Sequence, residues 1–299
     1  MRFVSVSRKI VALLLLAGAL AAGCGGSASG AGGTLTIGNI GWDENIAVSN
    51  LTKVLLEDEL GYDNVELQLV ENHPELLFAG VKDGELDAFQ DVWLPNHTEF
   101  LARVEGDTEL LEPWFRDTTR FSLAAPDYMG IDSIEEIPST EAARIYGIEP
   151  GAVIMERIPN RVIPDYGLEQ QLVASSTPAM LSEVDRMYRN EEPFIFVAWS
   201  PHWMNQEYDF TYLEDPKRSL GNLTELAEIS TIVRQDLRED DPIAYAFMDA
   251  LTLTEDQVNQ LELEIRDAED PAAGARRWIE DNRATAQPWI SAAKRAQEG

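Results

Sequence analysis

The sequence has few of the side chains that build disulfides and metal sites. Among its 299 residues there is one cysteine, and the three histidines are His73, His97 and His202. A single thiol excludes an internal disulfide framework, and the histidines share no spacing that is typical of zinc or iron ligands. The chain also has no Walker loop for a nucleotide phosphate. We therefore expect neither a metal nor a cofactor, and any ATP hydrolysis is left to a partner protein.

Basic residues are also scarce. Lysine and arginine total 23 against 53 aspartates and glutamates, which gives a formal net charge of −30. Such a surface repels the phosphates of nucleic acids and the headgroups of anionic lipids, so a nucleic-acid partner is disfavoured. It suits a cationic or zwitterionic ligand, although acidity of this strength is more typical of a solvated surface, as in proteins from high-salt habitats.

No apolar run reaches the roughly 18 to 20 residues of a transmembrane helix. Apolar residues 10–16 follow a basic start and lead through small residues to Cys24, which predicts a secretory signal peptide over residues 1–23. Cys24 after Ala-Ala-Gly resembles a bacterial lipobox, in which the cysteine is lipidated; the alternative is an ordinary secreted protein with an incidental cysteine. Residues 24–33, mostly glycine, serine and alanine, predict a flexible tether.

The rest of the chain alternates strand-like and helix-like segments, which predicts an α/β architecture. Residues 34–40 read as a first strand, and residues 44–60 carry apolar side chains at helical spacing. The length suits two lobes of ordinary size. We expect lobe I to comprise residues 34–124 together with 228–299, and lobe II to comprise residues 125–227.

Three tryptophans follow predicted strands. Trp42 ends the stretch GNIGW, Trp93 ends FQDVW and Trp199 ends FIFVAW. In open α/β sheets ligands bind beyond the carboxyl ends of the strands, so these positions are expected to face a cleft. The negative faces of several indole rings attract a cation and exclude water, and quaternary ammonium suits such a cage best. Packing in the core and stacking on a sugar are the alternatives.

A turn at Pro150 and Gly151 separates a predicted strand from a helix that begins near Ala152. The first backbone N–H groups of a helix lack intrahelical acceptors, so those of Val153 and Ile154 can bind an anion such as a carboxylate. A plain strand-turn-helix connection is the alternative. Combined with a cation cage, this turn predicts a receptor for a zwitterion.

Four stretches carry a family resemblance that extends over almost the whole mature chain. They resemble the substrate-binding proteins of glycine betaine/proline betaine ABC importers, and they are residues 41–62, 83–100, 146–155 and 192–204. The resemblance implies a two-lobed periplasmic-binding-protein type II fold with a hinge and an interlobe cleft. It also implies a protein that closes on its ligand and delivers it to permease and ATPase subunits. Together with the lipobox, this predicts a monomeric, extracytoplasmic protein that is anchored to the outer face of the cell membrane through Cys24 or is periplasmic.

The resemblance also assigns residues to the two ends of the ligand. It places the trimethylammonium group between Trp42, Trp93 and Trp199. It places the carboxylate on the backbone amides of Gly151 to Ile154 and on His97, which follows the WLPN motif. A hydrogen-bonded surface role is the alternative for His97.

The sequence leaves the choice of substrate and some alternatives open. Choline-binding relatives use an acidic residue shortly after the first-lobe tryptophan, so Asp43 and Glu44 are candidate cation contacts, with capping of the next helix as the alternative. Carnitine and dimethylsulfoniopropionate carry the same kind of onium head. A sensory protein without transport is a further alternative. An enzyme is disfavoured, because Ser200 and His202 do not align a hydroxyl with an imidazole and no G-x-S-x-G elbow is present.

Overall fold

The computed structural model describes residues 33–70 and 73–298. The predicted signal peptide, the predicted lipidation at Cys24 and the tether up to residue 32 lie outside the described residues. Within those residues, two five-stranded sheets form the centres of two lobes. We call the lobe around the first sheet lobe I and the lobe around the second sheet lobe II.

Strands and helices alternate along the chain. The strands are β1 (Thr34–Asn39), β2 (Asn64–Leu69), β3 (Ala88–Leu94), β4 (Thr108–Leu110), β5 (Arg120–Pro126), β6 (Arg144–Tyr146), β7 (Gln171–Val173), β8 (Ile195–Ser200), β9 (Phe210–Tyr212) and β10 (Glu228–Arg234). The helices are α1 (Asp43–Leu60), α2 (Pro74–Lys82), α3 (Thr98–Ala102), α4 (Val153–Arg157), α5 (Ile163–Tyr166), α6 (Thr177–Arg189), α7 (Met204–Glu207), α8 (Leu237–Asp240), α9 (Pro242–Ala250), α10 (Glu255–Arg266), α11 (Pro271–Asp281) and α12 (Arg283–Glu298). A π-helical turn, Ile158–Val162, joins α4 to α5.

The two sheets share one topology. The strand order is β2-β1-β3-β10-β4 in lobe I and β7-β6-β8-β5-β9 in lobe II. In lobe I, β1 pairs in parallel with β2 and β3, and in lobe II β6 pairs in parallel with β7 and β8. The strands β10 and β5 run antiparallel to their neighbours. Strand β5 is the first strand after the chain crosses from lobe I to lobe II, and β10 is the first strand after it crosses back. Each sheet therefore includes one antiparallel strand that directly follows a crossing between the lobes.

Strand β5 places the first chain crossing ahead of Arg120. Its residues pair with β8 and β9 in the second sheet, so the predicted boundary after residue 124 falls inside a lobe II strand. The apolar segment around Phe121 looks extended in either lobe, and only its pairing partner decides where it belongs. The return crossing lies between β9 and β10, and the predicted second boundary falls directly before Glu228, where β10 begins.

The hydrophobic core contains large aromatic side chains far from the cleft. Trp114, Trp278 and Trp289 are fully buried, and three of the seven tryptophans therefore serve packing. Helix α11 packs against α1 and α10, and α12 packs against α9, which covers lobe I with the C-terminal helices. Burial of apolar surface of this kind is the main stabilising contribution to such a layer. This packing stabilises the sheet of lobe I, whose strand ends carry Trp42 and Trp93.

Candidate functional site

Each predicted cage tryptophan lies where a parallel strand ends. Trp42 directly precedes α1 after the end of β1, Trp93 is the next-to-last residue of β3, and Trp199 is the next-to-last residue of β8. The turn before Trp42 favours glycine, because Gly41 has a φ of 93°, in the left-handed region. The side chain of Asn39 holds this turn by accepting the Gly41 N–H at 2.8 Å. The chain thus presents each indole at an edge of a sheet.

A cavity between the lobes brings the three rings together. Lobe I lines it with Trp42, Glu44, Trp93, Asn96 and His97, and lobe II lines it with Phe121, Ile148, Ala152, Val153 and Trp199. The exposed fractions of the three tryptophans are only 8%, 4% and 3% in chain order. The lobes are therefore closed around a small site whose walls are mainly aromatic.

A fourth aromatic ring, that of Phe121, completes the wall between two of the tryptophans. Its ring centroid lies 6.3 Å from that of Trp93 and 6.5 Å from that of Trp199, and it meets Trp199 edge to face at 88°. Phe121 pairs directly opposite Trp199 in the β5–β8 register. Sequence reasoning missed this residue, because no local pattern shows which strand pairs with β8.

Carboxylates bind the indole N–H groups of all three cage tryptophans. Trp93 Nε1 donates to Asp91 Oδ1 at 2.8 Å within lobe I. Trp199 Nε1 of lobe II donates to Glu44 Oε2 of lobe I at 3.0 Å.

The third bond also crosses between the lobes. Trp42 Nε1 of lobe I donates to Glu149 Oε2 of lobe II at 3.1 Å. An indole N–H lies in the plane of its ring, so an acceptor at the ring edge fixes the direction of the ring face. Sequence reasoning also missed Glu149, which precedes the Pro-Gly turn and carries no recognisable local signal.

The acidic side chains around the cage are buried, and burial changes their ionisation. Burial raises the pKa of Glu44 well above its usual value, and the nearby carboxyls of Asp91 and Glu262 raise it further. Burial raises the pKa of Asp91 to about 8, against the opposing effect of the Trp93 N–H. Burial, followed by the charge of Asp43, also raises the pKa of Glu262 well above its usual value. Burial therefore favours the protonated form of each of these acids.

His97 is a neutral hydrogen-bond donor in the cavity wall. It is only 3% exposed, and burial lowers its pKa to about 4. Its Nδ1 accepts the backbone N–H of Trp93 at 3.2 Å, so the proton of the neutral ring is on Nε2. The neighbouring Asn96 has a buried Oδ1 with no hydrogen-bond partner among the described residues. The structure thus places His97 in the cavity lining rather than at the surface.

The two acidic residues after Trp42 have different surroundings. Glu44 lines the cavity, whereas Asp43 is outside its lining. Asp43 Oδ1 accepts the Trp203 Nε1–H at 2.9 Å, and Asp43 Oδ2 lies 3.2 Å from His202 Nε2. Burial acts to raise the pKa of Asp43, but the neighbouring His202 and the bonds to His202 and Trp203 outweigh it and hold that pKa below its usual value. Asp43 therefore joins the lobes beside the cage and does not face its interior.

The predicted carboxylate turn lies beside the cavity. Val153 and Ala152 are in the lining, and α4 begins at Val153 as predicted from the sequence. Gly151 lies instead at a separate surface depression, and the side chain of Ile154 is fully buried. The role of the backbone N–H groups of Gly151 to Ile154 in binding a carboxylate stays a prediction.

Trp203 and His202 support the loop that follows Trp199. Neither of them lines the cavity. The His202 ring packs edge-on against Trp199 with the centroids 4.6 Å apart, and its Nδ1 accepts the Met204 N–H at 3.0 Å. The backbone N–H of Trp203 donates to Glu262 Oε2 at 2.6 Å. These contacts fix the position of Trp199 from the side that faces away from the cavity.

A family model decides the assignment of this fold and site. Residues 33–281 match the substrate-binding domain of ABC-type glycine betaine transport systems. The chain belongs to this family. Its members and its structural neighbours are ligand-binding proteins of ABC transporters, which confirms the prediction that the chain is not an enzyme.

Individual relatives agree with the family assignment. A glycine betaine/carnitine transport binding protein of Listeria monocytogenes serotype 1/2a (strain 10403S) is 38% identical over 148 residues. That match covers 48% of this chain and 48% of the Listeria protein, so it spans about half the length of that relative.

Solved structures share the whole fold. The closed, glycine betaine-bound structure of lactococcal OpuAC is 28% identical, with a TM-score of 0.76 over 86% of this chain and 99% of that one. An unliganded, semi-closed choline-binding protein of an ABC transporter is 25% identical, with a TM-score of 0.72 over 86% and 92% of the two chains. These likenesses confirm the predicted two-lobed type II fold.

Two further observations concern residues 33–70 and 73–298. None of the helices there combines the length and the apolar character that a bilayer crossing requires. The same residues contain no cluster of histidine, cysteine, aspartate and glutamate side chains suited to a metal ion.

Proposed function

We propose that this protein captures glycine betaine, or a closely related quaternary ammonium zwitterion, between its lobes and delivers it to an ABC permease and its ATPase. The observation that carries the proposal is the closed cavity whose wall combines Trp42, Trp93 and Trp199 with Phe121. Membership of the glycine betaine family supports the same ligand class. In this role the protein works outside the cytoplasm as a monomer.

The ammonium group lies against the aromatic faces. Quaternary ammonium spreads its charge over methyl groups that cannot donate hydrogen bonds, so it loses little when it leaves water for an aromatic surface. Each desolvated ring contact contributes roughly 0.5 to 2 kcal/mol. Three indoles and Phe121 therefore supply several kcal/mol before the burial of the methyl groups is included. The carboxylates at the ring edges are already occupied by N–H groups.

The carboxylate group of the ligand binds the polar part of the lining. His97 Nε2–H is a donor that stays neutral above about pH 5, because burial lowers the pKa of the ring to about 4. The backbone N–H of Val153 is the first of α4 and has no intrahelical acceptor. The side-chain amide of Asn96 supplies a further donor. Together these groups bind an anion without a basic side chain.

Choline is the second candidate ligand. Glu44 lines the cavity, and the 25%-identical choline-binding structure shares the fold. A protonated or ionised Glu44 carboxyl can bind a hydroxyl group, which choline has in place of the betaine carboxylate. Carnitine offers a hydroxyl and a carboxylate on a longer chain. A sensory protein without transport remains the alternative to an importer subunit.

Calorimetric titration of the mature protein tests the ligand. Glycine betaine, proline betaine, choline, carnitine and dimethylsulfoniopropionate are compared, with maltose as the unrelated control, and tryptophan fluorescence reports lobe closure. We expect glycine betaine to bind with a fluorescence change and maltose to give none. A response to choline alone would transfer the assignment to choline, and no response to any onium compound would refute the aromatic cage.

We further propose that Cys24 carries a lipid anchor. The support is the sequence before Cys24 and the glycine-rich stretch after it. Expression in a bacterial host with a labelled fatty acid should label the parent protein and leave Cys24→Ser unlabelled. The variant should then appear in the soluble extracytoplasmic fraction. Equal labelling of the two proteins would contradict the anchor.

A further inference from the structure

Glu149 connects the ligand turn of lobe II with a tryptophan of lobe I. It lies in the chain segment between β6 and α4, and its side chain is buried, with an exposed fraction of 5%. Oε1 accepts the Thr177 N–H at 2.6 Å, at the start of α6, and Oε2 accepts the Thr177 hydroxyl at 2.8 Å. Oε2 also accepts the Trp42 Nε1–H at 3.1 Å. The carboxylate therefore has two bonds within its own lobe and one bond across the cleft.

The cage tryptophans differ in where their N–H acceptors come from. Trp93 binds Asp91, two residues earlier on the same strand, so this bond does not depend on the distance between the lobes. Trp42 binds Glu149 and Trp199 binds Glu44, and both bonds join one lobe to the other. Opening the lobes must break the two crossing bonds and must leave the Trp93 bond intact.

We propose that Glu149 is a positioning residue, which turns Trp42 into its cage orientation only when the lobes close. The open protein then has one fixed ring, Trp93, and two rings that are free to rotate. A ligand first contacts Trp93 and then contacts the face of Trp42 when the lobes close. The bond to Glu149 keeps the Trp42 ring in that orientation until the lobes reopen. This inference rests on the proposed function and adds a residue that touches no ligand.

The substitution Glu149→Gln separates the crossing bond from the bonds within lobe II. Glutamine retains one acceptor oxygen, which can keep the bond to the Thr177 N–H, and its NH₂ can donate to the Thr177 hydroxyl. The same NH₂ then faces the Trp42 N–H, so two donors meet and the crossing bond is lost. Loss of a hydrogen bond to a charged group reduces an equilibrium constant roughly ten- to hundredfold. We expect a reduction of that size in glycine betaine affinity, mainly through faster dissociation.

A double-mutant cycle with Trp42→Phe tests the mechanism. Phenylalanine keeps an aromatic face and removes the N–H, so Glu149→Gln should change the affinity of the Trp42→Phe protein less than threefold. The parent, both single variants and the double variant are measured for glycine betaine affinity and dissociation rate by calorimetry and stopped-flow fluorescence. Glu141→Gln, at an exposed carboxylate of lobe II, is the matched control and should bind as the parent does.

Several outcomes would overturn the inference. Parent-like affinity in Glu149→Gln would do so. An equal loss of affinity on introducing Glu149→Gln into the parent and into Trp42→Phe would also do so, because it would assign the effect to the contacts with α6. A loss in the free energy of unfolding of the unliganded Glu149→Gln protein, equal to its loss in binding energy, would also assign a purely structural role. If Glu149→Gln did not fold, parent-like dissociation from Trp42→Phe would still refute the crossing bond. Failure of the parent to bind any onium compound would instead refute the proposed function, and the inference with it.

Discussion

Replacing Asp91 with asparagine should remove a pH-dependent cost that this buried carboxyl imposes on folding. Asp91 is fully buried, its Oδ1 accepts the indole N–H of Trp93, and its Oδ2 has no hydrogen-bond partner among the described residues. Burial raises its pKa from 3.8 to about 8. Between these two values the unfolded chain has released the proton while the folded protein still holds it, so stability falls as the pH rises.

The size of the effect follows from that pKa difference. In this window each pH unit lowers the contribution of Asp91 to the free energy of unfolding by about 1.4 kcal/mol. Asparagine cannot ionise, and its Oδ1 can still accept the Trp93 N–H. The NH₂ of asparagine and the protonated Oδ2 of aspartic acid both lack an acceptor at this position. The free-energy costs of burying these two unpaired donors are therefore nearly equal in variant and parent. The stability of Asp91→Asn relative to the parent should therefore rise by about 3 kcal/mol between pH 5 and pH 7.

Urea unfolding at pH 5, 6 and 7, followed by circular dichroism, measures this difference directly. Because the other acids titrate in both proteins, the difference between parent and variant reports Asp91 together with its effect on Glu44. The matched control is Asp132→Asn, at an exposed aspartate of lobe II, whose stability should follow the parent at every pH. A constant difference between Asp91→Asn and the parent from pH 5 to pH 7 would refute the raised pKa. Asp91 also raises the pKa of Glu44, so its replacement should make the change somewhat larger.

Further expectations concern the cage and its support. Trp199→Ala should abolish calorimetric betaine binding, because it removes one wall and leaves Glu44 unpaired, and parent-like binding in Trp199→Ala would contradict the cage. Trp203→Ala should lower the unfolding free energy by about 3 kcal/mol or more. It should weaken betaine binding less than Trp199→Ala does, because it leaves the cavity lining intact and removes only the bond to Asp43 across the lobes. His97→Leu should weaken betaine roughly tenfold and leave choline within threefold, because only betaine has a carboxylate to accept Nε2–H. Equal losses for the two ligands would exclude that contact. Phe121→Leu should cost roughly 0.5 to 2 kcal/mol of binding energy for either ligand, and no change would remove Phe121 from the cage wall.

The sequence was most informative where function follows from position along a strand. Trp42, Trp93 and Trp199 could be predicted as one cluster, because each follows a recognisable strand and strand ends of parallel sheets face the cleft. The start of α4 at Val153 was also predictable, since the Pro-Gly turn before it ends the preceding strand. These features depend on periodicity and turn chemistry, which are local properties.

Features that depend on packing between distant segments could not be predicted. Phe121 joins the cage through its register with Trp199, and the same pairing moves the lobe boundary ahead of Arg120. Asp43 and Glu44 are adjacent in sequence, but successive positions of a helix are about 100° apart, so one faces His202 and the other faces the cavity. No pattern within α1 shows which of the two directions leads to the ligand.

The acidity of the chain and the chemistry of its site are therefore connected in a way that net charge does not show. A zwitterion brings a negative end as well as a positive one, and a group of ionised carboxylates under the cage would repel that negative end. The structure avoids this repulsion in two ways. Burial keeps a proton on Asp91 near neutral pH and raises the pKa of Glu44 well above its usual value. The oxygens of Glu44, Asp91 and Glu149 that face the rings are occupied by indole N–H groups. In the proposed complex the cation lies against ring faces whose orientation the acids determine, and the carboxylate binds His97, Asn96 and a helix N–H. The acids near the site act as acceptors that orient the rings, and the attraction of a cation is left to the rings themselves.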